Sequence, residues 1–250
     1  MNRIAFALIL LAGAAAALAA QPVLIVADEF PAMQVLAGKL KDGANLDSRI
    51  VKQTEMPQGL GQFQAVIVYI HGDIREQAER AFISYTKGGG KLVLLHHSIS
   101  SGKRRNQYWI PFVAVNLPYG EFSEGGYKWI DPVTLEIVNL APDHYITTHQ
   151  VKYEAQIPYL RSGAEKKLPG FTLAGTEVYL NHVFTEPRTI LLGLKYNDAV
   201  TGKVYMEDTA GWYKRSGQGW IIYFMAGHTA QEFEHPAYGQ MVVNAVVFKP

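Results

Sequence analysis

Four short runs of this chain are apolar without interruption: "PVLIVA" at 22–27, "AVIVYI" at 65–70, "LVLL" at 92–95 and "WIIYFM" at 220–225. A strand with one wet face alternates apolar and polar residues. Continuous runs this short mark strands covered on both faces, as in parallel sheets. Helical patterns lie between them. Pro31 opens a stretch with Met33, Leu36, Ala37 and Leu40 at helical spacing, and Gly43 offers a stop. Asp73 and Glu76 have the spacing of a capping box, and Ile74, Ala78, Phe82 and Tyr85 then share one face. The glycine triplet 88–90 ends that helix; it precedes a strand, whereas a phosphate-cradling loop follows one. With a further strand at 47–53, the first hundred residues read strand, helix, strand, strand, helix, strand. That order predicts an α/β fold with a mostly parallel sheet and right-handed crossovers.

The rest of the chain is uneven. Residues 100–175 carry a strand candidate, "TLEIVN", but no clean period, and are expected as an insertion over the sheet edge. Strands are predicted at "EVYLNHVF" and "RTILLGLKY", then a hairpin turning at Ser216–Gly219 and a last helix from Pro236.

Composition narrows the function. A formal net charge of +1 gives no general electrostatic case for nucleic acid or an anionic membrane as partner. The absence of cysteine removes disulfides, thiolate nucleophiles and cysteine-ligated zinc, so any metal must be held by His, Asp or Glu. The first residues, with one early Arg, an apolar run and an Ala-rich tail before Gln21, have the pattern of a secretory signal peptide. A membrane anchor is the alternative, since Ile4 to Ala20 borders on spanning length; the Ala-rich tail and Gln21-Pro22 favour cleavage. The expectation is a signal peptide at 1–20 and a single exported domain at 21–250, periplasmic or secreted.

Histidines recur where buried strands end: His71 after the second apolar run, His96 and His97 after the third, His228 after the fourth. In open parallel sheets, ligands bind beyond the carboxyl ends of the strands. If those ends are neighbours, the imidazoles converge on one point. Neutral imidazole is a common metal ligand, and three protein ligands leave a position for water. Taken singly, each histidine is more often a hydrogen-bonding loop residue; the joint pattern favours a site. His96 and His97, adjacent on an extended chain, should face opposite sides, and His96 is the preferred inward one. A serine hydrolase built on Ser98 and His228 is a weaker rival, because the G-x-S-x-G elbow is missing. "GKRRNQYW" reads as a solvated loop rather than a nucleic-acid contact. Trp109, Trp129 and Trp212 can stack on sugar rings or fill the core.

Several segments together resemble the ThuA-like (trehalose utilisation) family of the class I glutamine-amidotransferase-like superfamily. They are "PVLIVAD", "AVIVYIHGDI", "YTKGGGKLVLLHHS", "DHYITT", "TEVYLNHVF" and "GWIIYFMAGHTAQEFEHPAYGQMVVNAVVF". The resemblance implies a flavodoxin-like three-layer α/β/α sandwich and a sugar substrate. It also singles out Glu177, which spacing alone does not. Tyr145 and Thr176 stand where the family pattern has Pro and Asp, and the regions near 101–141 and 150–174 match poorly. The superfamily's Cys nucleophile is absent, so thioester hydrolysis of glutamine is excluded. The expected site is then a divalent metal, zinc first, on His96, His228 and Glu177, with Glu177 as ligand or general base. His71 is a further ligand or catalytic donor, and Tyr179 and Trp109 are substrate contacts. A non-catalytic sugar-binding role on the same fold is the alternative.

Overall fold

The computed structural model describes residues 21–249. The expected signal peptide lies outside the described residues. In chain order the first half contains β1 (Val23–Ala27), α1 (Pro31–Ala44), β2 (Ser48–Val51), β3 (Ala65–Tyr69), α2 (Glu76–Lys87) and β4 (Lys91–Leu95). Then follow α3 (Trp109–Val113), β5 (Val115–Asn116), β6 (Lys128–Asn139), α4 (Tyr145–Thr148), β7 (Ala155–Arg161), β8 (Ala164–Leu180) and β9 (Val183–Phe184). The chain closes with β10 (Thr189–Asn197), β11 (Val204–Ser216), β12 (Gly219–Phe224), α5 (Ala230–Glu234) and α6 (Pro236–Val247).

The continuous apolar runs form strands whose residues are buried throughout or nearly so: β1, β3, β4 and β12. They pair in parallel, with β2 at the edge, as β2-β1-β3-β4-β12. The path β1–α1–β2 runs outward and β3–α2–β4 runs the other way. Right-handed crossovers therefore put α1 and α2 on opposite faces, which gives the α/β/α layering. α6 joins the α1 side with Tyr238, Met241, Val242, Ala245 and Val246 buried.

The sheet is larger and more mixed than predicted. Its ten strands continue past β12 as β11-β10-β6-β8-β7, all antiparallel. Mostly parallel thus holds only for the first half. Residues 100–175 are largely part of the sheet rather than a cover on it. The missed signal was turn chemistry. β7 and β8 join through Ser162-Gly163, with φ of 51° and 77°, the two positive values that a tight hairpin with the right strand twist requires.

Two helix boundaries also differ. α1 runs through Gly43 and stops at Asn45, whose left-handed φ of 51° lets the Asn45 N–H reach the Lys41 carbonyl and the Leu46 N–H reach the Leu40 carbonyl. α2 is not capped by Asp73. Its N-cap is Arg75, whose N–H is taken by Gln53 Oε1 at 2.8 Å, while Asp73 faces Arg105. Among the described residues, no helix is long and apolar enough to cross a membrane.

The β6–β8 ribbon matters most for the site. β6 pairs with β10 only through Leu135–Asn139, so its first residues run on beyond the sheet, paired with β8 alone. The β6–β8 register shifts twice, between Ile130 and Val133 and again between Val133 and Thr134. The first bulge sets Asp131-Pro132 opposite Glu177; the second inserts Gly175, at φ 67°, into β8. Bulges bend a strand and strengthen its twist. The end of the ribbon arches over the carboxyl edge of the parallel half and brings Glu177 there.

Candidate metal centre

β4 ends at Leu95 and the chain turns at once. His96 takes φ 45°, left-handed, and His96–Ser98 make one tight helical turn. This conformation costs a non-glycine residue roughly 1–2 kcal/mol. It also breaks the alternation of an extended chain, so His96 and His97 both face the same point. Ser98 turns away, and its buried hydroxyl donates to the Val68 carbonyl at 2.6 Å. Donated and out of reach of solvent, that oxygen is in no position to act as a nucleophile.

His228 is placed by the loop after β12. Gly227 has φ 118°, and a Cβ there would lie 2.8 Å from the Phe233 ring. The buried carboxylate of Glu232 accepts from the N–H of Gly227 (2.7 Å) and of Thr229 (3.0 Å), clamping both neighbours of His228. The acidic-aromatic stretch after "GHT" is therefore a scaffold for the histidine. Sequence reasoning did not assign Glu232 that role, although an N-cap Thr followed three residues later by Glu is a readable signature.

Ligand-type atoms of His96, His97, Glu177 and His228 all lie within 4.8 Å of one another, a cluster that can hold a metal ion. Glu177 Oε2 is 2.9 Å from His96 Nε2, 3.5 Å from His97 Nε2 and 3.5 Å from His228 Nδ1. His96 Nε2 is 3.2 Å from His228 Nδ1. Four ligands about 2.0–2.2 Å from a common ion, arranged tetrahedrally, sit about 3.3–3.6 Å apart. The four distances above, 2.9–3.5 Å, lie close to that spacing. The tautomers fit as well. His96 Nδ1 lies 2.5 Å from the Met225 carbonyl, which only accepts, so that nitrogen carries the hydrogen. In the neutral ring Nε2 then turns a lone pair on a carboxylate oxygen, an arrangement that a cation between them converts from repulsive to attractive.

The electrostatics favour a charged carboxylate beside a neutral His97. Burial resists ionisation of Glu177, but the facing imidazoles of His228, His96 and His97 outweigh it and hold its carboxyl far below the usual range. Burial pushes the His97 imidazole down to about 3, against the pull of Glu177. The hydrogen bond to Glu177 moves His228 upward despite partial burial, helped by the charges of Glu177, Asp131 and Glu232. The Tyr179 hydroxyl, raised by burial and by the charge of Glu177, keeps its proton and donates it to Glu177 Oε2 at 2.8 Å.

A cavity of about 390 Å³ opens on the cluster, lined by His71, His97, Ser100, Trp129, Asp131, Glu177, Tyr179 and His228. A larger concavity of about 870 Å³ lies elsewhere, against Arg80, Tyr108 and Lys214, without convergent ligand groups. His71 reaches the cavity but not the four-atom cluster. Its ring stacks on His97 at 4.0 Å and its Nδ1 meets Glu29 at 3.2 Å. Trp109 corrects the expectation of a substrate contact. It is fully buried against Phe82 and Phe112, and its indole N–H donates to the Ser98 carbonyl. Trp129 and Asp131, from the poorly patterned middle of the chain, line the cavity instead.

The sequence model of the ThuA family, described as trehalose utilisation, matches residues 28–249. The chain belongs to the ThuA family. Membership supports a function related to trehalose utilisation. Two solved ThuA-like proteins share the ThuA fold seen here. The one from Bacteroides uniformis is 16% identical, with 93% of each chain covered and a TM-score of 0.60. The one from Parabacteroides merdae is 15% identical, with 90% of each covered and a TM-score of 0.61. The fold also matches part of a cold-adapted β-galactosidase from Rahnella sp. R3, at 10% identity and TM-score 0.54; 90% of this chain covers 30% of that one. None of the curated proteins compared matches the chain.

Proposed function

We propose that this ThuA chain is an exported, metal-assisted enzyme acting on a carbohydrate or an oxidised-sugar derivative. The observation that carries the reading is the convergence of three imidazole nitrogens and one carboxylate oxygen at the floor of a cavity. A nitrogen-rich, oxygen-completed set favours zinc among the divalent ions. When bound, such an ion polarises a carbonyl or hydroxyl oxygen of the substrate.

The residues divide the remaining work. His96, His97 and His228 hold the ion, and Glu177, kept ionised, completes the set. Glu177 Oε2, met by three imidazole nitrogens and the Tyr179 hydroxyl, serves as ligand rather than base. His71 is the better proton carrier. It lies on the cavity wall, and Glu29 at Nδ1 leaves Nε2 to exchange a proton with substrate. Its loop is pinned twice. Asp28 accepts from the N–H groups of His71 and Gly72, both at 2.8 Å, and Lys103 donates to their carbonyls at 2.9 and 2.7 Å.

One observation favours a second reading, a non-catalytic sugar-binding protein: four protein donors can close a tetrahedral shell, as in structural zinc sites. Metal analysis of the purified chain after zinc supplementation tests the first. The expected result is about one ion per chain in the wild type and little in His96→Ala or His228→Ala. A wild type that takes up no metal, or variants that keep it, would count against the enzyme. Sugar binding indifferent to chelator and without turnover would favour the second reading.

A further inference from the structure

The cavity over the cluster has two unlike walls. One is histidine, from His71, His97 and His228. The other is the arched ribbon, where Trp129 and Tyr179 are direct cross-strand partners and Asp131 lies two residues beyond Trp129. Cross-strand partners share a face, and the bulge at Asp131-Pro132 leaves Asp131 lining the same cavity as Trp129 and Tyr179. Trp129 is 53% exposed, whereas Trp109 and Trp212 are fully buried. An indole left uncovered at a cavity rim offers a flat apolar face. Beside it stand acceptors and donors: the Asp131 carboxylate, one-third exposed, and Ser100. A pyranose ring presents the complementary surfaces, a C–H face and a rim of hydroxyls.

We propose that Trp129 and Asp131 form a subsite for a single pyranose ring. Trp129 stacks on the ring's C–H face and Asp131 accepts hydrogen bonds from its hydroxyls, which carries the far side of the ring toward the cluster. The inference rests on the carbohydrate reading above and names the residues and the size of ligand that reading leaves open. Size follows from volume. About 390 Å³ is near the lower end of the roughly 300–1,000 Å³ of small-molecule sites, room for one ring with its substituents rather than an extended chain.

Calorimetric titration of the full chain with glucose, trehalose and maltopentaose, with zinc and again with EDTA, tests it. Trp129→Ala should weaken glucose and trehalose binding by about tenfold in both conditions, and Trp129→Phe should stay within about threefold of wild type. Because Trp129 is half exposed, both variants should keep the wild-type melting temperature and metal content. Maltopentaose should bind no more than about threefold tighter than glucose. The subsite is overturned if Trp129→Ala binds as the wild type does, if the wild type binds neither glucose nor trehalose, or if maltopentaose binds far more tightly than glucose. Binding that depends on Trp129 in a protein holding no metal would sink the metal enzyme and leave the subsite standing.

Discussion

His96 holds a backbone conformation that most residues avoid, and the strain has a visible return. The left-handed turn aims two consecutive imidazoles at one carboxylate oxygen, which an extended chain does not permit. Gly227 does the corresponding work for His228. Gly227→Ala should lower stability by about 1–3 kcal/mol and release bound metal, read by urea denaturation and metal analysis. Full stability with full metal content would show that the loop has other ways to place His228. Glu177→Gln keeps the shape and removes the charge; it should weaken zinc binding more than about 100-fold in a competition titration with a chelator. A residue outside the cluster adds to acid sensitivity. His182 is buried beside Tyr127, neither ring nitrogen meets a protein partner, and burial pushes its imidazole down to about 3. The folded state therefore refuses a proton that the unfolded chain accepts below its ordinary value near 6.5. Stability is lost as pH falls from about 6.5 toward about 3, at up to about 1.4 kcal/mol per pH unit. His182→Phe should narrow the loss between pH 7 and pH 5 by about 2 kcal/mol in urea titrations. An unchanged difference would mean that the folded state accepts a proton on His182 as readily as the unfolded chain does.

At the scale of elements, local signals succeeded where the element is local. Met33, Leu36 and Leu40 face the core at helical spacing, and the glycine triplet ends α2. The boundaries went elsewhere because backbone groups found other partners. Asp73→Ala should change stability by less than about 0.5 kcal/mol, whereas removal of a true cap costs about 1. Asn45→Ala should cost about 1 kcal/mol and Asn45→Gly almost nothing, since only the left-handed turn is at stake. Equal effects of the two would disprove that account. The ribbon is the element that sequence reading lost. Gly175 inside a strand was a readable mark of a bulge, and Ser162-Gly163 of a tight hairpin. Both were obscured because β8 alternates irregularly where it leaves the sheet and arches over the edge.

For the molecule as a whole, the site sits where the two halves of the sheet meet. β12 pairs in parallel with β4 and antiparallel with β11, so His96 and His228 come from neighbouring strand ends, while Glu177, Tyr179, Trp129 and Asp131 arrive from strands well across the sheet. A bound ion would tie the halves together. Zinc at about 100 times its dissociation constant should add about 2.7 kcal/mol to unfolding, and EDTA should remove it. A urea midpoint indifferent to both would argue that no ion bridges them. The parallel half, the shared edge of its histidines and the chemistry that a chain without cysteine cannot perform are all legible in the sequence. Those follow from composition and from periodicities only a few residues long. Tertiary structure alone decided that His96 and His97 point together, that Trp109 is core and that Trp129 faces the cavity. Each of these depends on a strained turn or a pair of bulges, and what a bent backbone faces is set by its packing against strands distant in sequence.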